Sequence, residues 1–159
     1  MRPLAIIIHE ALSKIPFYEQ EIEFDFDADS HYWATNPEEE GMETVVFGLM
    51  RECYRHARQS QKRIRTYQEN GTVYILLEHQ GAPIESLEEM NARLERLCKT
   101  GKFENEDRPS GTNFAAQMLH HLRGTVKLEN IDEDGYRVRT QIAVPATLAK
   151  GGRVGMPPY

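Results

Sequence analysis

Two alternating runs, Lys62 to Tyr67 and Thr72 to Leu77, meet at Glu69-Asn70-Gly71, and no other junction restricts the fold as much. Asn and Gly both tolerate positive φ, which a two-residue hairpin turn requires, so the runs are expected to pair antiparallel. A second alternating pair, Thr125 to Asn130 and Tyr136 to Val144, brackets the acidic turn Asp132 to Gly135 and predicts a terminal hairpin. Sheet structure alone does not fill the chain, because helical patterns interrupt the hairpins.

Leu4, Ile7, Ile8, Ala11, Leu12 and Ile15 make an apolar stripe at helical spacing over Pro3 to Ile15. Ile22, Phe24 and Phe26 then alternate with acids over Glu21 to Asp27, the period of a strand with one buried face, and a turn follows at Asp27 to Ser30. Met42, Val45, Val46, Leu49, Met50 and Cys53 trace the buried side of a long helix opening near Asn36-Pro37. Ser86 and Glu89 have capping-box spacing ahead of Met90, Leu94 and Leu97. Lys99 to Gly111 is polar and reads as a mobile loop, and Asn113 to Leu122 as a further helix. Residues 1–145 are expected to form one domain, with 146–159 a flexible tail. The order is helix, strand, helix, two strands, helix, loop, helix, two strands. It predicts an α+β fold: a two-layer sandwich with a mixed sheet covered on one face by helices.

Composition narrows the partners. A chain of 159 residues with 40% hydrophobic and 28% charged residues supports one soluble core. A net charge of −6 excludes general nucleic-acid affinity and disfavours an anionic membrane surface. Arg51, Arg55 and Arg58, with Lys62, Arg63 and Arg65, leave room for a small anion site. The apolar run Leu4 to Ile8 is too short to span a membrane and lacks signal-peptide flanks, so a cytoplasmic location is expected. The abrupt helical start suggests a piece of a longer protein. Cys53 and Cys98 both fall on apolar helix faces and read as buried thiols of a reducing compartment.

The stretch from Asn36 to Ala57, ending in Arg55-His56-Ala57, resembles the nucleotide-binding helix of the histidine-kinase-type ATPases, the GHKL or Bergerat family. The resemblance runs from about Leu4 to Pro145 and implies the Bergerat ATPase fold, with ATP and Mg²⁺ as cofactors where the site still functions. In the register of that ending, Gly48 and Glu52 stand where such kinases carry two Asn that hold Mg²⁺ against the triphosphate. Gly48 has no ligand atom. Glu52 offers a hard oxygen donor and is the candidate metal ligand, but its charge repels the phosphates. Arg55, with His56 beside it, matches the basic position that touches phosphate.

Two further boxes depart from the family in the same way. Where the family has a strand running into Asp-x-Gly-x-Gly, this chain has Leu77 to Ile84, with His79 at the adenine-binding Asp, Gly81 retained and Pro83 at the second Gly. A neutral His accepts one hydrogen bond, which weakens adenine recognition without forbidding it. The glycine-rich lid turn corresponds to Ser110 to Ala115, where Gly111 survives and Asn113 and Ala115 limit close approach of an anion. The resemblance thus places a nucleotide, if any, against Glu52, Arg55, His56, His79, Gly81, Gly111 and Asn113, and supplies no catalytic residue.

Three boxes altered together point to a degenerate ATPase domain acting as a binding or regulatory module in two-component signalling. Its implied partner is a response regulator or a helical phosphotransfer or dimerisation domain, docking near Lys99 to Gly111. The alternatives are an active catalytic domain of a sensor kinase and a supporting domain of a histidine phosphotransferase. Outside these boxes, His9 reads as a helix-surface residue, and His120 and His121, about 100° apart on a helix, do not readily share a metal.

Overall fold

A computed structural model of the chain describes residues 3–15, 22–26, 38–104, 107–108 and 110–145. Its elements in order are α1 (Leu4–Ser13), β1 (Ile22–Phe26), α2 (Glu38–His56), β2 (Lys62–Glu69), β3 (Thr72–His79), α3 (Leu87–Thr100), α4 (Gly111–His121), β4 (Thr125–Glu133) and β5 (Tyr136–Pro145). The five strands form one sheet in the order β1-β2-β3-β5-β4. Among the described residues only β1 and β2 run parallel, and the other pairs are antiparallel. The expected mixed sheet in an α+β arrangement is what forms. The opening at Asn36-Pro37, the turn at 27–30 and the tail at 146–159 lie outside the described residues.

Both hairpins close as their turn residues require. Asn70 and Gly71 take φ of 51° and 78°, and Asp134 and Gly135 take 53° and 86°. The strands run further than alternation suggested, so β4 continues to Glu133 after an irregularity between Asn130 and Glu133, and the turn shrinks to Asp134-Gly135.

Register explains where the core sits. Ile64 lies opposite Leu77, Leu77 opposite Thr140 and Val126 opposite Ile142, so one set of alternate positions faces the helices. Ile64, Ile75, Leu77 and Ile142 are wholly buried there against Ile7, Ile8, Val45, Val46, Leu97 and Leu119. Each such side chain removed from water contributes about 1.5–3 kcal/mol before chain entropy is counted. Phe24 departs from its strand pattern. It is 37% exposed and packs its ring 4.7 Å from that of His9, which places His9 on the outer side of α1.

The opposite face of the sheet carries a charge network that alternation did not announce. Glu78 is fully enclosed and accepts from Arg63 at 2.8 Å, Arg65 at 2.9 Å and Arg139 at 2.9 Å, so three guanidiniums hold its carboxyl below the usual range against the effect of burial. Glu133 and Asp134 extend the network from the last hairpin.

Two local expectations need correction. Ser86 makes no side-chain cap to α3; Glu88 and Glu89 in the first turn face the helix dipole instead. The loop begins after Thr100, since Lys99 and Thr100 complete α3, and Gly101 ends that helix at φ 67°. Asp107 then ties the described part of the loop down, accepting from Arg96 and from the Glu104 amide.

Candidate functional site

The three altered boxes converge on one region, where the C-terminal half of α2, the end of β3 and the start of α4 meet. Ser110 begins α4 as a true N-cap, accepting from the Asn113 amide at 3.1 Å. Helix N-termini leave amides unsatisfied, and an anion at that end is stabilised by them and by the helix dipole. Here the anion is Glu52. Its Oε1 accepts the Gly111 amide at 3.0 Å and Arg55 Nη1 at 3.2 Å, while its Oε2 lies 3.6 Å from His56 Nε2. Arg55 and His56 otherwise face outward, with side chains 62% and 74% exposed.

Backbone contact closes the same gap. A Cβ on Gly111 would stand 2.6 Å from the Gly48 carbonyl oxygen, and one on Gly48 would stand 3.1 Å from the Gly111 oxygen. Two glycines therefore let α4 sit directly on α2. At the position that the family resemblance assigns to Mg²⁺ and phosphate, the Glu52 carboxylate already accepts the Gly111 amide. Among the described residues no group of three or more His, Cys, Asp or Glu side chains has a metal-holding arrangement. The residues present do not fit a magnesium triphosphate in this arrangement. Asn113 is also engaged elsewhere, buried and donating from Nδ2 to the Arg108 carbonyl at 2.7 Å.

The base side of the site is different, because a cavity of about 340 Å³ persists there. Leu49, Ile84, Met90, Leu128 and Val138 supply apolar walls, and Glu52, His56 and Thr112 stand on the side of α2 and α4. This is the size and character of a small-molecule pocket. His79 lies in its wall, 6% exposed, with Nδ1 accepting the Gly81 amide at 3.0 Å. Burial first, then the charges of Lys62 and His56, push its pKa down to about 4. Gly81 is required for this contact, since a Cβ there would meet His79 Nδ1 at 2.8 Å and the Ala57 Cβ at 2.9 Å.

Sequence reasoning overlooked the rest of the lining. Cys53 and Thr140 both contribute, Cys53 with its thiol pushed up to about 12 chiefly by burial. Thr140 was detectable in principle, because the inward positions of β5 read Val138, Thr140, Ile142 and Val144, with one hydroxyl among aliphatics. Lys62, opposite His79 in the register, is buried by donating to the carbonyls of Ala57 at 2.7 Å and Ser60 at 2.8 Å. It is therefore not part of an anion site.

No family model matches the sequence, and no curated protein does either. Solved structures do. A mycobacterial sensor histidine kinase, MprB, superposes with a TM-score of 0.67 at 16% identity, covering 92% of this chain and 97% of that one. The catalytic domain of histidine kinase ThkA gives 0.65 at 16% identity, covering 92% and 96%. The Acinetobacter baumannii histidine kinase AdeS gives 0.61 at 12% identity, covering 91% and 66%. The fold is that of a histidine-kinase ATPase domain. At such identities the likeness speaks for the fold, and within this histidine-kinase ATPase fold the chemistry has to be judged from the side chains themselves. At the start of α4 the Gly111 backbone packs on Gly48 and Glu52, and the cavity lies beside them, with Glu52, His56 and Thr112 in its lining.

Proposed function

We propose that this domain is a histidine-kinase-type ATPase fold serving as a binding and regulatory module in two-component signalling, without turnover of ATP. The observation that carries the reading is the Glu52 carboxylate on the Gly111 amide, backed by the contact of Gly48 with Gly111. An enzyme that needs phosphates at the start of α4 gains nothing from placing its own anion there. The partner is a response regulator or a helical phosphotransfer or dimerisation domain. Phe114, 51% exposed, and Phe103, with ring centroids 5.1 Å apart, offer such a partner an apolar contact beside the loop. Among the described residues no helix is long and apolar enough to cross a membrane.

Calorimetric titration with Mg²⁺ and ATP tests the reading. The expected result is no heat of binding at millimolar nucleotide. The rival, an active sensor-kinase catalytic domain, draws support from the surviving cavity. Micromolar binding that disappears in Arg55→Ala would establish that rival and defeat the degenerate reading.

A further inference from the structure

An open sheet ends at two edges, and each edge strand turns the N–H and C=O of alternate residues away from its neighbour. This fold covers one edge. Asn91 of α3 accepts the Leu128 amide at 2.8 Å and donates to the Leu128 carbonyl at 2.8 Å, so outward groups in the middle of β4 are already bonded. Asn130 on the same strand holds both backbone groups of Ile84 against it. At the other end of the sheet β1 pairs with β2, and among the described residues nothing bonds to the outer edge of β1. Its side chains say what fits there. Register puts Glu23 beside Arg63 and Asp25 beside Arg65 on the outer face, and Phe24 beside the buried Ile64 on the helix side. The two arginines are turned elsewhere, Arg63 to Glu78 and Asp134 and Arg65 to Glu78 and Glu133. Glu23 accepts the Tyr136 hydroxyl at 3.2 Å, and among the described residues the exposed Asp25 makes no ion pair. On the helix side the exposed Phe24 ring lies 4.7 Å from that of His9 and 5.5 Å from that of Phe26. The open edge is therefore acidic along one face and aromatic along the other.

We propose that β1 is a docking edge for an extended segment of a partner protein in which Lys or Arg alternates with apolar residues, added to the sheet as a further strand. Its basic side chains lie over Glu23 and Asp25, its apolar ones over Phe24 and His9, and its main chain satisfies the edge. A second copy of this chain does not fit. Antiparallel pairing of β1 with another β1, centred on Glu23, Phe24 or Asp25, sets acid opposite acid, and like charges directly opposite are destabilising. The inference stands apart from the nucleotide question, because β1 contributes nothing to the cavity lining.

The probes are a blocked peptide of alternating Lys and Val, a scrambled peptide of the same composition, and a peptide with Glu in place of Lys. Each is titrated into the intact chain and followed by amide NMR. The alternating Lys peptide is expected to shift the amides of Ile22 to Phe26 and slow their exchange at up to about 1 mM. The scrambled and Glu peptides are expected to bind about fivefold or more weakly. Equal binding of the scrambled peptide reduces the effect to charge attraction and overturns the inference. So does the absence of any change at β1 at about 1 mM. Asp25→Lys, at an exposed position with no described ion pair to lose, is expected to weaken the Lys peptide by about fivefold or more. Unchanged affinity in the folded variant overturns the charge assignment. Two further peptides, N-methylated at every Lys or at every Val amide, need no variant. Only one edge of an added strand meets β1, so one form is expected to lose binding and the other to keep it. Both binding as the unmodified peptide does overturns the strand pairing. Dilution of the native chain is expected to leave the β1 amides unmoved, and concentration-dependent shifts there make a second copy the occupant and overturn the proposal.

Discussion

At the residue scale, His79 ties stability to pH. Its pKa falls from an ordinary 6.5 to about 4 in the folded chain because burial and Lys62 disfavour the imidazolium. The unfolded chain therefore takes up a proton at a pH where the native one does not. Stability from this group is complete above 6.5 and declines as pH falls toward 4, by about 3 kcal/mol at most. Glu78 contributes in the same direction but only below its ordinary 4.5, so the upper part of the decline belongs to His79. Urea unfolding at stepped pH is expected to show this slope, and His79→Gln to flatten it between 6.5 and 4.5. A variant with the native slope would remove His79 as the cause. Gly111 makes a second case. Its Cβ would meet the Gly48 oxygen at 2.6 Å, so Gly111→Ala is expected to destabilise by about 1–3 kcal/mol in chemical denaturation. Neither effect was legible in the sequence. His79 and Gly111 were recognisable as altered or retained box residues, yet which ring nitrogen the Gly81 amide engages, and what a missing Cβ allows, depend on partners 2 and 63 positions away in the chain.

The elements were easier to read than their interiors. Asn70-Gly71 and Asp134-Gly135 specify their turns locally, and each adopts positive φ as its residue types allow. The apolar stripe of α2 was equally plain, because periodicity is a property of the element alone. Capping was less so: Ser86 has the right spacing and makes no cap, whereas Ser110, which was not singled out, does. The charge network across β2, β3 and β5 was not visible either. Alternation marks Arg63, Arg65, Glu78 and Arg139 as outward, and outward usually means solvated. Register instead places Glu78 beside Arg63 and Arg139 and diagonally from Arg65, so that one carboxylate serves three cations. Glu78→Ala leaves those guanidiniums facing one another and is expected to cost about 3–5 kcal/mol. Equilibrium denaturation of the variant measures it. A loss under about 1 kcal/mol would mean that the network behaves as an exposed surface cluster.

For the whole molecule, the question is whether the proposed loss of a phosphate site would lie in side chains or in architecture. The resemblance first suggested side chains, since Gly48, Glu52 and His79 replace the residues the family uses. The packing of α4 on α2 suggests more. The two helices approach until Gly48 and Gly111 touch, and Glu52 satisfies the Gly111 amide. On the proposed reading, a side chain added at position 48 without moving α4 meets the Gly111 carbonyl at 3.1 Å. The combined variant Gly48→Asn, Glu52→Asn and His79→Asp separates the alternatives. If architecture governs, the folded variant still fails to bind Mg²⁺-ATP, and Gly48→Asn alone lowers stability by about 1–3 kcal/mol because its Cβ already presses on the Gly111 oxygen. If side chains govern, the same protein binds Mg²⁺-ATP with micromolar affinity, and α4 must then move off α2 to admit it. Circular dichroism confirms folding and calorimetry reads the affinity, so the two outcomes are not confused with a collapsed variant. The first outcome is the expected one, because a side chain can be exchanged one at a time whereas a helix seat built on two glycines has to be released as a unit.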